Sequence, residues 1–386
     1  MIYLDHNATT RPAPSVVQAM LQMMSATWAN ASSQHGPGQD AKRALAVARA
    51  HVARVLGCKP AELIFTSGAT ESNQLALRGL LAAADPKRRR VLLGSVEHAA
   101  HLRLARTLAD SGLQVELLPV LGSGALDLAA AAARIGADVA LVSLMAANNE
   151  TGVLMPTREV GVLARAAGAR MHVDATQLIG KLPFDFASCA ADAVSLSAHK
   201  FQGPKGVGAL LLRQGTAFVT QTPGSQERGR RGGTENLPAI VGMAAALDLL
   251  GNVALTARRV AQLRDALEAG LLRLVPDTHI WGRTQARLPG TSYLRFGHLS
   301  ADVVLQRLEQ LGVAASSGAA CSSAGSQPSH VLGAMGVADD EALAALRLSL
   351  GPDSTRAEVD ELLAQLPPLL APLLHEETTT SSTWSQ

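Results

Sequence analysis

Short apolar runs recur through the first half of this chain, each separated from the next by an alanine-rich stretch long enough for a helix. Residues 91–93, 114–118, 139–145 and 171–173 are four of them. Strands that alternate with helices imply a mostly parallel sheet joined by right-handed crossovers. This rhythm also tells where to look for chemistry, because ligands of open α/β sheets gather beyond the carboxyl ends of the strands.

Several strand ends carry polar clusters. Glu62-Leu-Ile-Phe-Thr66 is a strand, and Ser67-Gly-Ala-Thr-Glu-Ser-Asn73 opens the following helix. A small-residue turn into a helix start is an anion site, with free N–H groups and the positive helix end aimed at the ligand. The same residues also suit an ordinary cap with Thr70 and Glu71 in the first turn. Asn148-Asn-Glu-Thr-Gly152 and His172-Val-Asp-Ala-Thr-Gln177 follow two other strands. Asp174 stands where a carboxylate could pair with a protonated pyridine nitrogen, or cap the next helix. Glu97-His-Ala-Ala-His101 begins another helix. His98 and His101 share a face at i, i+3, but no third metal ligand has suitable spacing. His98 reads as a ring-stacking or proton-moving group, or as a helix cap.

Ser195-Leu-Ser-Ala-His-Lys-Phe-Gln-Gly-Pro-Lys-Gly-Val-Gly208 reads as strand, tight loop, strand, with Lys200 at the crest. An apolar setting around its stem favours the neutral amine. A neutral amine is the nucleophile that forms a Schiff base with an aldehyde cofactor.

The ends of the chain carry further signals. Tyr3-Leu-Asp-His-Asn-Ala-Thr-Thr10 is a short strand and polar turn in which His6 and Asn7 either face a site or cap. Helices are expected over 15–25 and 41–56, with a loop at 30–38. The polar Arg/Gly loop 224–236 suits a site or a subunit contact. Lys87-Arg-Arg-Arg90 reads as a solvated turn. Composition shifts near 251–263, and a second unit follows with strands near 291–296 and 313, a strand at 346–350 and a helix over 355–366. Domains are therefore placed at 14–254, at 1–13 with 255–374, and as a disordered Thr/Ser-rich tail at 375–386. Cys321 lies among Gly, Ser and Ala, which favours an exposed, reactive thiol. Arg347 is an arginine inside an apolar strand, so it either pairs with a protein acid or clamps a substrate carboxylate.

Composition excludes several classes. The 386 residues carry a net charge of only +2, which gives no argument for nucleic acid. No apolar window reads as a membrane span, and no amino-terminal signal is visible. Three scattered cysteines do not form a disulfide framework or a zinc site, so a reducing, cytoplasmic compartment is expected.

Taken together and in order, these motifs resemble the cysteine desulfurases, within the class V family of pyridoxal phosphate (PLP) enzymes. Arg231-Gly-Gly-Thr-Glu-Asn, Ser316-Ser-Gly-Ala-Ala-Cys and Arg347-Leu-Ser-Leu-Gly complete the set, and the likeness runs from Tyr3 to about Leu366. Two positions depart from the family pattern: Asn30-Ala-Ser-Ser for Asn-Pro-Ser-Ser, and Ala198 where glycine is frequent. The resemblance implies PLP fold type I: an α/β large domain with a mostly parallel seven-stranded sheet, a smaller α+β domain, and a homodimer. It implies that Lys200 carries PLP, Asp174 pairs with the ring nitrogen, His98 stacks on the ring and Gln177 bonds the phenolic oxygen. Ala69, Thr70, Ser197 and His199 would hold the phosphate, with Thr234 reaching across from the other subunit. Asn149 would contact cofactor and substrate, and Arg347 the substrate. Cys321 would take sulfur from L-cysteine as a persulfide and deliver it to an iron–sulfur scaffold or another acceptor. No metal is expected beyond Cys321 as a transient iron–sulfur ligand. Selenocysteine lyase and PLP aminotransferase share the motifs to different degrees, the latter without need of Cys321. A non-catalytic cluster-assembly partner is disfavoured by Lys200 and Asp174 together.

Overall fold

The computed structural model describes residues 1–317, 320–322 and 325–381, with side-chain detail over 1–317 and 327–374. The chain opens with β1 (Ile2–Tyr3) and helices α1 (Pro14–Ala26) and α2 (Gly36–Val55). Helix α2 starts ahead of the expected residue 41. Pro37 occupies its first turn, where a missing N–H costs nothing, and His35 Nδ1 accepts from the Gly38 N–H at 3.2 Å.

Seven strands then alternate with four helices: β2 (Leu63–Thr66), α3 (Ala69–Ala82), β3 (Arg90–Gly94), α4 (Ala99–Asp110), β4 (Gln114–Leu118), α5 (Leu128–Arg134), β5 (Val139–Met145), α6 (Thr157–Ala166), β6 (Arg170–Asp174), β7 (Ala193–Ser197) and β8 (Gly208–Leu212). They form one sheet in the order β2-β8-β7-β6-β5-β3-β4. Only β8 is antiparallel to its neighbours β2 and β7. The reason is chain length. A parallel return needs a crossover of a dozen or more residues, and the loop between β7 and β8 is too short for one. That loop carries Lys200.

Alternate residues of the central strands face opposite layers. Leu92, Val142, Leu144, Val173 and Leu196 join one core, while Val91, Leu93, Leu141 and Leu210 join a second that includes α3 and α4. Helix α7 (Leu237–Asp248) lies against α1 and α2. The Lys87–Arg90 turn is less solvated than expected. Arg88 donates to the carbonyls of Val139 and Ala167, Arg89 to that of Gly112, and Arg90 pairs with Glu116 and Asp138, so three of the four cations fasten strand and helix ends.

The remainder comprises α8 (Val253–Leu274), β9 (Thr278–Trp281), β10 (Thr291–Phe296), α9 (Ala301–Gln310), β11 (Val313–Ala314), β12 (Ser316–Ser317), β13 (Ala320–Ser322), β14 (Gly325–Gln327), α10 (His330–Ala334), α11 (Asp339–Leu343), β15 (Leu346–Ser349) and α12 (Arg356–Ser381). An antiparallel sheet runs β12-β15-β10-β9, and β13 pairs with β14 as a hairpin. Val260, Leu267, Phe296, Leu348, Leu362 and Leu366 share a core of their own, which Ile2 and Leu4 join from the other end of the chain. Helix α12 passes the expected end at Leu366 and continues through Pro367, Pro368 and Pro372. Leu370 still faces the core there, with Leu373 and Leu374 packed on it. The helix therefore takes in 375–381 of the tail expected to be disordered, and 382–386 lie outside the described residues. Among the described residues, no single helix is long and apolar enough to cross a membrane.

Gly208, the first residue of β8, has no room for a side chain. A Cβ there would lie 2.5 Å from the Leu196 carbonyl and 2.7 Å from Gly68 Cα. Gly208→Ala is expected to cost about 1–3 kcal/mol, the usual range for overpacking, as a lowered midpoint in urea unfolding. The control is Gly333→Ala in α10, where a Cβ meets nothing within 4 Å and the change should be neutral or stabilising. Equal midpoints for Gly208→Ala and the parent would refute this account of the contact.

Candidate active site

A cavity of about 410 Å³ opens at the carboxyl ends of β2, β5, β6 and β7, between the start of α3 and the loop after β7. Its wall at α3 is an anion cradle. Gly68 is the N-cap at φ 155° and has no side chain to close the helix end. Among the described residues, the N–H groups of Ala69, Thr70 and Glu71 meet no acceptor in the chain. Those donors and the helix dipole favour a phosphate. Ser197, His199 and Lys205 line the same wall. The carboxylate of Glu71 does not compete for the ligand, because Arg231 binds it at 2.8 Å and the Ser67 N–H at 2.6 Å.

Asp174 ends β6 and reaches the cavity. Burial opposes its charge, yet hydrogen bonds from Thr176, the His101 charge and Asn73 together hold its carboxyl below the usual range. Asn73 Nδ2 donates to Oδ2 at 2.7 Å and the Thr176 N–H to Oδ1 at 2.9 Å. Asp174 is thus a buried anion in the cavity that also closes a local turn; it caps no helix, because the next element among the described residues is β7.

Lys200 closes a short 3₁₀ turn, Ala198–Lys200. The amino-terminal segment clamps that turn. Thr10 donates to the His199 carbonyl through both its N–H and its hydroxyl, and Thr9 Oγ1 lies 3.1 Å from His199 Nδ1. Lys200 Nζ donates to the carbonyls of Asn7 and Ala8 at 2.7 and 2.8 Å. Burial, followed by the positive charge of Arg347, lowers its pKa to about 8. His199 is lowered to about 4 by burial and by the lysines around it, so it meets an anion as a neutral donor.

His98 caps α4, its Nδ1 accepting from the Ala100 N–H at 3.2 Å. A neutral ring used that way carries its proton on Nε2. His98 stands exposed at the cavity mouth. Partial burial of the ring still favours its neutral form, with Lys200 adding to that preference against the pull of Asp174. His101 does not join it as a metal pair. It turns inward to Glu97 and Ser143.

Asn7 is a residue that the sequence left undecided and the structure makes central. Its amide donates to Thr291 Oγ1 and the Asn149 carbonyl, its carbonyl accepts from Lys200 and Gln177, and its Oδ1 accepts from Lys181 Nζ at 2.6 Å. Gln177 lines the cavity, with its amide bridging the Asn7 carbonyl and Lys181. Arg347 on β15 pairs with Asp5 at 2.7 Å and donates to the Asn149 carbonyl at 3.0 Å. Its buried Nε meets no acceptor. Asn149 lines the cavity, whereas Arg347 and Thr234 do not. Thr234 is exposed in the 224–236 loop. The backbone of Cys321 pairs with Ser326 in the β13–β14 hairpin, and its thiol lies outside the described residues. Burial raises the other two thiols, Cys58 to about 12.

The Aminotransferase class-V family model matches residues 2–362. This chain belongs to the class-V aminotransferase family. The family is PLP-dependent and of PLP fold type I. The donors of the α3 start, the buried Asp174 carboxylate and the near-neutral Lys200 amine fit that cofactor. A "Cysteine desulfurase" of Cereibacter sphaeroides is 46% identical over 373 residues, covering 96% of this chain and 95% of that protein. The "Cysteine desulfurase NifS" of Azotobacter vinelandii is 42% identical over 375 residues, covering 96% and 93%. Among solved structures, a "NIFS-LIKE PROTEIN" aligns with a TM-score of 0.90 at 35% identity, covering 96% of this chain and 99% of that one. A structure titled "SspA in complex with cysteine" aligns with a TM-score of 0.81 at 31% identity, covering 92% and 100%.

A lowered lysine pKa means the free amine is populated above about pH 8 rather than above its ordinary 10.5. Competitive acylation of the PLP-free protein, read by mass spectrometry, should give Lys200 half its limiting reactivity near pH 8. A midpoint near 10 would show the amine to be solvated and the clamp ineffective.

Proposed function

We propose that this chain is a PLP-dependent cysteine desulfurase that releases L-alanine and holds the sulfur on Cys321 for an iron–sulfur scaffold or another acceptor. The observation that carries this reading is one cavity presenting the Lys200 amine, the Asp174 carboxylate and the open α3 helix start. The desulfurase names of the relatives and the cysteine in the SspA structure support the substrate.

PLP bound in this cavity supplies an aldehyde for an amine and a ring that withdraws electrons from the bound amino acid. The chain's own residues supply the rest. Ala69, Thr70, Ser197 and His199 would hold the phosphate with uncharged donors, and Asp174 would hold a proton at the ring nitrogen. His98, with its Nδ1 committed to the helix start, would keep Nε2 for the ring and for proton movement. Gln177, bonded to Asn7 and Lys181, would offer its remaining amide N–H to the phenolic oxygen. Arg347 spends one N–H on Asp5 and one on the Asn149 carbonyl, which leaves two terminal N–H bonds that could turn to a substrate carboxylate next to Asn149, while its buried Nε is out of a ligand's reach. Pairing with a protein acid and binding substrate are thus compatible.

In the net reaction the substrate's C–S bond breaks and an S–S bond forms to Cys321. The transferred sulfur is oxidised, the carbon is reduced to the alanine methyl group, and one thiol proton ends on that methyl. No external oxidant is required. The strand that carries Arg347 also anchors the hairpin that carries Cys321, because β12 pairs with β15 at Ser316 and Arg347. Cys58 and Cys189 are bystanders whose half-buried thiols resist ionisation. Thiol chemistry of this kind belongs in a reducing, cytoplasmic setting.

A homodimer completes this reading. Val17, Leu21, Met24 and Trp28 form an exposed apolar stripe at helical spacing on and just after α1. Thr234, exposed and away from its own cavity, would serve the partner's phosphate site.

With L-cysteine, the PLP-loaded protein should release alanine and carry one persulfide on Cys321. Cys321→Ser should still bind cysteine, seen as a change in the cofactor spectrum, but release no sulfide and hold no persulfide. Sulfur label retained on that variant, or pyruvate in place of alanine, would overturn the assignment. Leu21→Glu should halve the sedimenting mass. An unchanged mass would place any dimer contact elsewhere.

A further inference from the structure

Behind the cavity floor lies a line of buried polar groups that the proposed chemistry leaves unused. Ser143, His172 and Ser195 sit on the adjacent strands β5, β6 and β7. Ser143 Oγ is 2.8 Å from His172 Nδ1, and His172 Nε2 is 2.9 Å from Ser195 Oγ. His101 enters the line from α4, its Nε2 3.3 Å from Ser143 Oγ and its ring edge-on to His172 with centroids 5.6 Å apart. On its other side, His101 Nδ1 faces Glu97 Oε2 at 3.3 Å, and both side chains are fully buried. Glu97 Oε1 accepts the Met145 N–H at 2.6 Å. The His330 ring meets the Glu97 carbonyl at 2.9 Å, so α10 closes the far side.

Glu97 accepts the Met145 N–H at Oε1, and its buried Oε2 lies at ion-pair distance from His101 Nδ1 without hydrogen-bond geometry. The line can run either way. With both His101 nitrogens protonated, Nε2–H donates to Ser143, Ser143 to His172 Nδ1, and His172 Nε2–H to Ser195. With only Nδ1 protonated, Ser195 donates to His172 Nε2, His172 Nδ1–H to Ser143, and Ser143 to His101 Nε2. His172 stays neutral in both, and the buried Glu97 carboxylate beside Nδ1 favours the doubly protonated His101. That neutrality agrees with the burial of His172, which lowers it to about 3.

We propose that His101 is a positioning residue: a buried cation paired with Glu97 that borders the cavity, keeps Asp174 ionised and orders the β5–β6–β7 hydrogen-bond line behind the cavity floor. Asp174 shares a face of β6 with His172, two residues away. The titratable groups around His101 are Glu97 and His98 at the α4 start and His172 and Asp174 on β6. Both partners of the pair shift upward: burial resists charge on Glu97, while Glu97 draws the proton onto His101 against burial. The carboxylate accepting the Met145 amide is the form that suits an ion pair. Removing the cation would let Asp174 take a proton at higher pH and so loosen its hold on a ring-nitrogen proton. The inference rests on the PLP reading of the cavity for its functional consequence, but not for the charge on His101.

Histidine labelled with ¹⁵N in the PLP-loaded protein gives the direct test. One imidazole with protons on both nitrogens should persist at pH 8.5, after solvent-accessible histidines have become neutral. It should vanish in His101→Gln or, should that variant fold poorly, in His101→Asn. The same variants should begin to lose PLP on dialysis at a pH about one unit higher than the parent does, equivalent to one pKa unit at Asp174, and should retain it equally at pH 8. In the Asp174→Asn background the His101 change should add nothing. Only singly protonated histidines at pH 8.5, or an unshifted pH of PLP loss, would overturn the proposal. If the parent itself binds no PLP, the reading of the cavity fails, and the histidine spectrum still decides the charge on His101.

Discussion

Asp174 must stay charged where water cannot solvate it, and much of the sheet's carboxyl edge is arranged around that demand. A lone buried carboxylate takes a proton instead of holding its charge. Here its oxygens receive N–H groups from Asn73 in α3 and from the following turn. The first of these ties α3 to β6, so the helix that presents its open end to an anion is held by the same carboxylate that would meet the other end of the ligand. Anion cradle and ring anchor are therefore set at a fixed separation by one hydrogen bond.

The second constraint is topological. Six strands of the large sheet point one way and β8 points the other. The reversal brings a tight loop to the edge where ligands gather, and Lys200 rides on it. The amino terminus then crosses between the two sheets and clamps the loop through Thr9, Thr10 and Asn7. Since β1 pairs with β11 and Leu4 packs in the smaller core, this clamp makes the smaller unit part of the lysine's setting.

Much of this was legible in the sequence. Alternating apolar runs and alanine-rich segments specified the sheet, and the position of polar clusters just after strands pointed to the 67–73 turn, Asp174 and Lys200, while the family resemblance singled out Ala69, Thr70, Ser197 and His199. Less legible were contacts between distant segments. Asn7 reads as a turn residue because nothing local shows that residues near 149, 181, 200 and 291 converge on it. Asn73 looks like an ordinary helix residue until the fold places it against Asp174. Strand β9 has too little pattern of its own, and α12 outran its expected end because leucines beyond the prolines still found a core. The thiol of Cys321 lies outside the described residues, so its assignment rests on its neighbours in sequence and on the family.

The pairing of β12 with β15 has a consequence for delivery. Ser317 is held against Leu346, and Cys321 follows four residues later. Four residues of chain span at most about 14 Å, whatever path they take. Under the proposed function, that length is a leash. It sets the radius within which sulfur can be handed over, and it obliges an acceptor to bring its own receiving atom to this edge of the smaller sheet. Which acceptors can be served is then a question of whose surface is shaped to approach that edge, rather than of how far the donor can travel.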